Sequence, residues 1–150
     1  MFGATCLQLV VPRLLAQHSG HECRFFVDHT AFDCESAFYE QETYRACLPG
    51  LVRAASNADG AVASPDGYPF PPFMVLDRGV TLSQWLDDPR SPGAILVMAA
   101  EVLELLVTLH ASGMVHRDIK PENLLLVLHK LKWRLLDFGI VAPVGASVSM

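Results

Sequence analysis

Carboxylates, an amide and a lysine gather in one short stretch of this sequence. His116-Arg117-Asp118-Ile119-Lys120-Pro121-Glu122-Asn123 runs into Leu124-Leu125-Leu126, and Asp137-Phe138-Gly139 begins fourteen residues after Asn123. A cation that holds phosphate groups needs hard oxygen ligands, which Asn123 and Asp137 supply. Asp118 adds a carboxylate able to orient a hydroxyl or accept its proton. Residue types and order together suit a site for magnesium and a nucleotide.

Such groups need rigid supports on both sides. Residues 124–128 and 133–136 read as two short strands joined by a turn at His129-Lys130. The alternative is a polar loop between two strands that carries this text without its chemistry. Upstream, Ser91-Pro92-Gly93 opens the longest predicted helix, 94–110, with Ser91 as cap and Pro92 in the first turn. Ile95, Met98, Val102, Leu105, Leu106 and Leu109 recur at helical spacing, Glu101, Glu104 and Thr108 take the other side, and Gly113 closes the helix. This helix is expected to support the loop that begins at Val115, with His110 packing or capping.

Earlier in the chain, residues 6–11 and 23–27 read as strands, the first stopped by Pro12. Residues 30–48 read as one helix, capped by Thr30 with Asp33 in capping-box spacing and ended by Pro49-Gly50. Phe32, Glu35, Tyr39 and Glu42 share one of its faces. Residues 53–72 are rich in turn residues, and 60–63 are the one candidate strand among them. Residues 73–76 read as a buried strand, Asp77-Arg78-Gly79 as a polar turn, and 81–86 as a short helix.

The chain has 150 residues, enough for one domain with a real core, and 51% of them are hydrophobic. The net charge of −5 argues against a nucleic-acid surface. Cys6, Cys23, Cys34 and Cys47 form no Cys-x-x-Cys, which points to reduced thiols and an intracellular, cytoplasmic protein. His18, His21 and Cys23 read as a polar turn rather than a metal corner, because no fourth ligand has the usual spacing. No membrane span is expected, since the apolar run 94–100 is short and Glu101 and Glu104 follow. Residues 1–21 carry one arginine and read as a strand pair or ragged end, with a targeting peptide as the alternative.

His116-Arg117-Asp118 with Lys120 and Asn123, then Asp137-Phe138-Gly139, resembles the catalytic and metal-binding loops of the eukaryotic protein kinases. Lys120-Pro121-Glu122-Asn123 is similar to the serine/threonine branch. The resemblance implies an α/β, two-lobed fold: a small antiparallel sheet with one helix, a hinge, then a mainly helical lobe. Residues 22–76 would be the small lobe, 77–79 the hinge and 80–150 a partial large lobe, after an N-terminal segment 1–21. It implies ATP and magnesium as cofactors and a protein substrate. Asp118 would be the catalytic base, with Lys120 beside the transferred phosphate and Asn123 and Asp137 on the metal. His116 would prop the loop and Arg117 would meet the activation segment.

The same resemblance places Leu76 behind the adenine and the backbones of Asp77 and Gly79 on its edge. It puts Arg24 where the family has a lysine gripping phosphates, the alternative being a solvated strand residue. Glu35 fits as the partner of that cation, with Glu42 as the alternative. Two features depart from the family: no Gly-x-Gly-x-x-Gly occurs, and the match covers about residues 22–142, without either end of the domain. A truncated large lobe leaves apolar faces such as that of helix 94–110 short of cover. Two functions follow: a serine/threonine protein kinase, or a pseudokinase or binding module without phosphotransfer. A kinase of small molecules is a third.

Overall fold

The computed structural model describes residues 21–26, 29–55 and 71–146. The strand expected at 6–11, the candidate strand at 60–63 and His18 lie outside these residues. Small antiparallel sheets and helices make up two compact units, one within Met1–Ser36 and Gly50–Arg78, the other within Ala37–Pro49 and Gly79–Met150.

The first unit is a three-stranded antiparallel sheet of β1 (His21–Phe25), β2 (Leu51–Ala55) and β3 (Phe73–Asp77), in the order β1-β3-β2. Phe73-Met74-Val75-Leu76-Asp77 is buried at every residue, as a continuous apolar run in a central strand should be. Arg24 lies opposite Met74 and Glu22 opposite Leu76. β2 was missed in the sequence, where the turn-rich text after Arg53 hid it. It pairs with β3 across a register shift between Leu51 and Arg53.

Helix α1 (His29–Tyr39) contributes its residues up to Ser36 to this unit. Phe32 packs its ring edge-to-face on Phe26, with centroids 5.4 Å apart. The helix is shorter than the predicted 30–48 and starts one residue before Thr30, so Thr30 is not its cap. A 3-10 turn at Glu42–Tyr44 follows. The reason lies in the phase of the apolar residues. Tyr44, buried in the second unit's core, comes nine residues after Glu35, half a turn out of phase with the buried face at 3.6 residues per turn. One straight helix cannot bury both on one side.

The second unit begins with β4 (Gly79–Thr81), which sequence reading took for the end of a turn. It joins β6 (Leu124–Val127) and β7 (Lys132–Leu135) in an antiparallel sheet of order β4-β6-β7. Gly79 is required at its position, because a Cβ there would meet the Leu126 carbonyl oxygen at 2.5 Å. Helix α2 (Leu82–Trp85) follows at once, with Thr81 and Gln84 forming a reciprocal capping box.

Helix α3 (Pro92–Ala111) starts as expected, the Ser91 hydroxyl accepting from the Ala94 amide, and ends at Gly113 with φ +80°. Val102, Leu105 and Leu109 are buried in a core shared with Tyr44, Cys47, Leu48, Leu82, Leu124, Trp133, Leu135 and Phe138. Ile95 was expected on that face but is exposed, as are Leu96, Val97, Leu103 and Val107; His110 is exposed too. The helix has 20 residues, and an 18-residue stretch of it has a mean hydropathy of 1.9, so by length and composition it is long and apolar enough to cross a membrane. The sequence expectation counted only the uninterrupted run 94–100. A two-residue ladder of β5 (Met114–Val115) with β8 (Ala142–Pro143) brings the segment after Gly139 back beside the start of the His116 loop.

Candidate active site

Two short motifs meet at one residue, Leu136. The hairpin β6–β7 aligns Leu124 with Leu135, and one step further the Leu136 amide donates to the Asn123 carbonyl at 2.9 Å. The Leu136 carbonyl accepts from His116 Nε2 at 2.9 Å. Both backbone groups of the residue before Asp137 are thus committed to the loop 116–123. Asp137 follows with φ +64°, in the left-handed region that aspartate tolerates better than most residues.

His116 is 1% exposed and holds the loop from inside. Its Nδ1 accepts from the Asp118 amide at 3.3 Å, so the ring proton sits on Nε2, where it donates to Leu136. Burial pushes the imidazole below its ordinary pKa and keeps it neutral; the carbonyl of Leu136 and the carboxylates of Asp118 and Asp137 act the other way. The ring packs edge-on against Phe138 at 5.1 Å, and Phe38 meets the same phenyl ring at 5.2 Å. Arg117 turns through φ +69° and its side chain is exposed.

That turn presents Asp118. Its Oδ2 accepts from Lys120 Nζ at 2.6 Å and from Asn123 Nδ2 at 2.8 Å. Asn123 Nδ2 also donates to the Asp118 carbonyl at 2.9 Å, and the Asn123 amide donates to the Lys120 carbonyl at 2.9 Å. The hydrogen bond from Lys120 holds the Asp118 carboxyl below the usual carboxylate range, aided by Asn123; the same bond raises the Lys120 ammonium. Among the described residues, every hydrogen bond of the Asp118 carboxylate uses Oδ2, so Oδ1 could meet a hydroxyl. Asn123 spends its donor nitrogen on Asp118, so its side-chain oxygen is the atom available to a cation. Asn123 and the carboxylate of Asp137 are hard oxygen donors of the kind that could hold magnesium.

In the first unit Arg24 Nη1 donates to Glu35 Oε1 at 2.7 Å, and Glu35 is 1% exposed. The choice between the two glutamates is settled: Glu42 pairs with Arg45 at 3.0 Å on the surface. The Arg24 side chain is half-buried, and its guanidinium also lies 5.3 Å from the centre of the Phe26 ring. Leu76 is buried in β3. The Asp77 amide donates to the Gly50 carbonyl at 2.9 Å. Gly79 is laddered opposite Val127.

Sequence reading brought Asp118, Lys120, Asn123 and Asp137 to one site, and the structure assembles the first three directly. It missed Leu136. The only signal for Leu136 was its place at the end of the predicted strand 133–136, next to an aspartate. The His18, His21 and Cys23 grouping has its last two members on β1, and the described residues hold no cluster of three or more metal-ligating side chains.

Residues 75–150 match the family described as protein kinase domain. The chain is 43% identical over 119 residues to a probable serine/threonine-protein kinase, PkwA, of Thermomonospora curvata, covering 74% of this chain and 16% of that one. It is 36% identical over 80 residues to serine/threonine-protein kinase Pkn1 of Myxococcus xanthus, 50% of this chain and 12% of the relative. Serine/threonine-protein kinase SSK22 of Saccharomyces cerevisiae is 42% identical over 77 residues, 50% of this chain and 6% of the relative. The chain therefore spans a small part of the length of each relative.

Proposed function

Because the chain belongs to the protein kinase family, we propose that the protein transfers the terminal phosphoryl group of Mg-ATP to a serine or threonine hydroxyl of a protein. The observation that carries this is the Asp118 carboxylate, with one oxygen fixed by Lys120 and Asn123 and the other left to a hydroxyl. The hydroxyl oxygen forms its bond to the terminal phosphorus as the bond to the bridging oxygen breaks, and the hydroxyl proton passes to Asp118 Oδ1. Lys120 neutralises charge on the transferring group. Asn123 and Asp137 would hold magnesium, whose chemistry is to offset phosphate charge and fix its orientation. Most of the catalysis is then positioning and electrostatics.

The remaining assignments follow the family. Residues 22–76 form the small lobe, 77–79 the hinge and 80–150 the large-lobe part. Arg24, paired with Glu35, replaces the usual lysine toward the phosphates, and an arginine fork matches phosphate oxygens well. Leu76 closes the inner end of the adenine site, and Asp77 and Gly79 line its edge. The free thiols of Cys23, Cys34 and Cys47 suit a reducing, intracellular setting.

The test is phosphate transfer from labelled ATP to serine- and threonine-containing peptides, comparing the protein with Asp118→Asn. The rate should fall by roughly 10²- to 10⁴-fold, the usual worth of a positioned general base. Equal transfer by both proteins overturns the reading. A second reading, a binding module without transfer, is favoured by Arg24 in the lysine's place and by the lack of any Gly-x-Gly-x-x-Gly. No transfer by the unaltered protein, with nucleotide still bound, would establish it.

A further inference from the structure

Asp77 is a carboxylate buried to 4% exposure at the end of a strand, and nothing in the phosphoryl-transfer chemistry uses its side chain. A buried carboxylate is costly unless it is well bonded. Its Oδ2 accepts from the Gly50 amide at 2.7 Å, while its own amide donates to the Gly50 carbonyl at 2.9 Å. Both backbone groups of Gly50 are therefore spent on one residue. A Cβ at position 50 would lie 2.7 Å from that same Oδ2, so the close approach demands glycine. On the other side of the strand, His21 Nε2 stands 3.8 Å from Asp77 Oδ1, and His21 is the register partner of Asp77 on β1.

The clamp sits where the sheet ends. Beyond Asp77 the chain has only exposed Arg78 before β4 begins. An unheld strand end frays, and with it the direction of its last peptide groups. The carboxylate opposes this by tying the end of β3 to Gly50, the residue before β2.

We infer that the Asp77 side chain is a positioning residue for the nucleotide: through Gly50 it fixes the end of β3, and with it the backbone of Asp77 at the adenine edge. The inference rests on the ATP reading above. It makes position 77 a determinant of nucleotide affinity and leaves the transfer step to the Asp118 loop. Loss of the carboxylate also leaves the Gly50 amide without its acceptor, so some loss of stability accompanies loss of affinity, and the two must be separated.

The experiment measures KM for ATP, kcat and melting temperature for the whole protein and for Asp77→Ala, Asp77→Asn, Gly50→Ala and Val75→Ala. Val75 is wholly buried in the same strand and makes no part of the clamp. Asp77→Ala should raise KM about tenfold, the worth of a charge-assisted hydrogen bond, with kcat within about twofold. Asp77→Asn, which keeps an acceptor for Gly50, should restore most of the affinity. Gly50→Ala should raise KM as Asp77→Ala does. Val75→Ala should lower the melting temperature with KM unchanged. Should Asp77→Ala fail to fold, Gly50→Ala against Val75→Ala decides the matter. A KM that follows melting temperature equally across all four variants overturns the inference while ATP use stands. Failure of the unaltered protein to bind Mg-ATP in equilibrium dialysis overturns both.

Discussion

The charged groups of the two units are held in opposite ways. In the first unit Arg24 lies on a strand and Glu35 on a helix, eleven residues apart, joined at 2.7 Å. In the second, Asp118, Lys120 and Asn123 lie on one loop and are tied by side-chain and backbone bonds together. The pair is a tertiary contact that exists only when β1 and α1 dock. The loop is largely self-supporting, with His116 and Leu136 as its anchors. A charge in the loop can thus be exchanged with little structural consequence, whereas a partner removed from the pair leaves a buried glutamate behind.

The largest effect that sharpens this contrast is that of Asp118→Asn: a loss of transfer by two to four orders of magnitude with little change in melting temperature, because Asn123 and Lys120 keep their backbone bonds. Next is Arg24→Ala, read by chemical denaturation. It should cost about 2 kcal/mol, less than the ~3–5 kcal/mol of a wholly buried pair, since the Arg24 side chain is partly open to solvent. A cost as small as that of a surface pair would break the contrast.

A third effect concerns the loop's anchor. The His116 imidazole titrates below its ordinary value in the folded protein because it is buried. The unfolded chain therefore binds the extra proton first, and stability falls as pH drops below about 6.5, the value for a free imidazole. Melting curves from pH 8 to 5 should show this decline, and His116→Gln should flatten it. The smallest effect is at Ser91, whose hydroxyl caps α3. Ser91→Ala should cost about 1 kcal/mol in denaturation and leave ATP affinity and transfer as they are. A change in transfer there would show that α3 does more than support the loop.

Much of the second unit was legible in the chain. Predicted helix 94–110 is observed as Pro92–Ala111, with Ser91 and Gly113 at its ends, because caps and period are local signals. The β6–β7 hairpin was legible for the same reason. The short strands β4, β5 and β8 were not, since two- and three-residue ladders have no period to read and exist only through distant partners. In the first unit β2 was hidden in turn-rich text, and α1 was overextended because Glu42 continues the stripe of Phe32, Glu35 and Tyr39, while Tyr44, Cys47 and Leu48 serve a different core. Residues 75–150, the part that matches the family, contain both the His116–Asn123 and the Asp137–Gly139 motifs.

The sequence by itself determined the family, the identity and order of Asp118, Lys120, Asn123 and Asp137, and the long helix behind them. These rest on residue types at short spacing, which the chain carries wherever it folds. Only the tertiary structure decided that Glu35 rather than Glu42 takes Arg24, that Leu136 joins the two motifs, and that Asp77 clamps Gly50. Each of those joins residues eleven or more apart in the chain, through a contact of about 3 Å. No local pattern encodes such a contact, because it forms only once separate elements pack together.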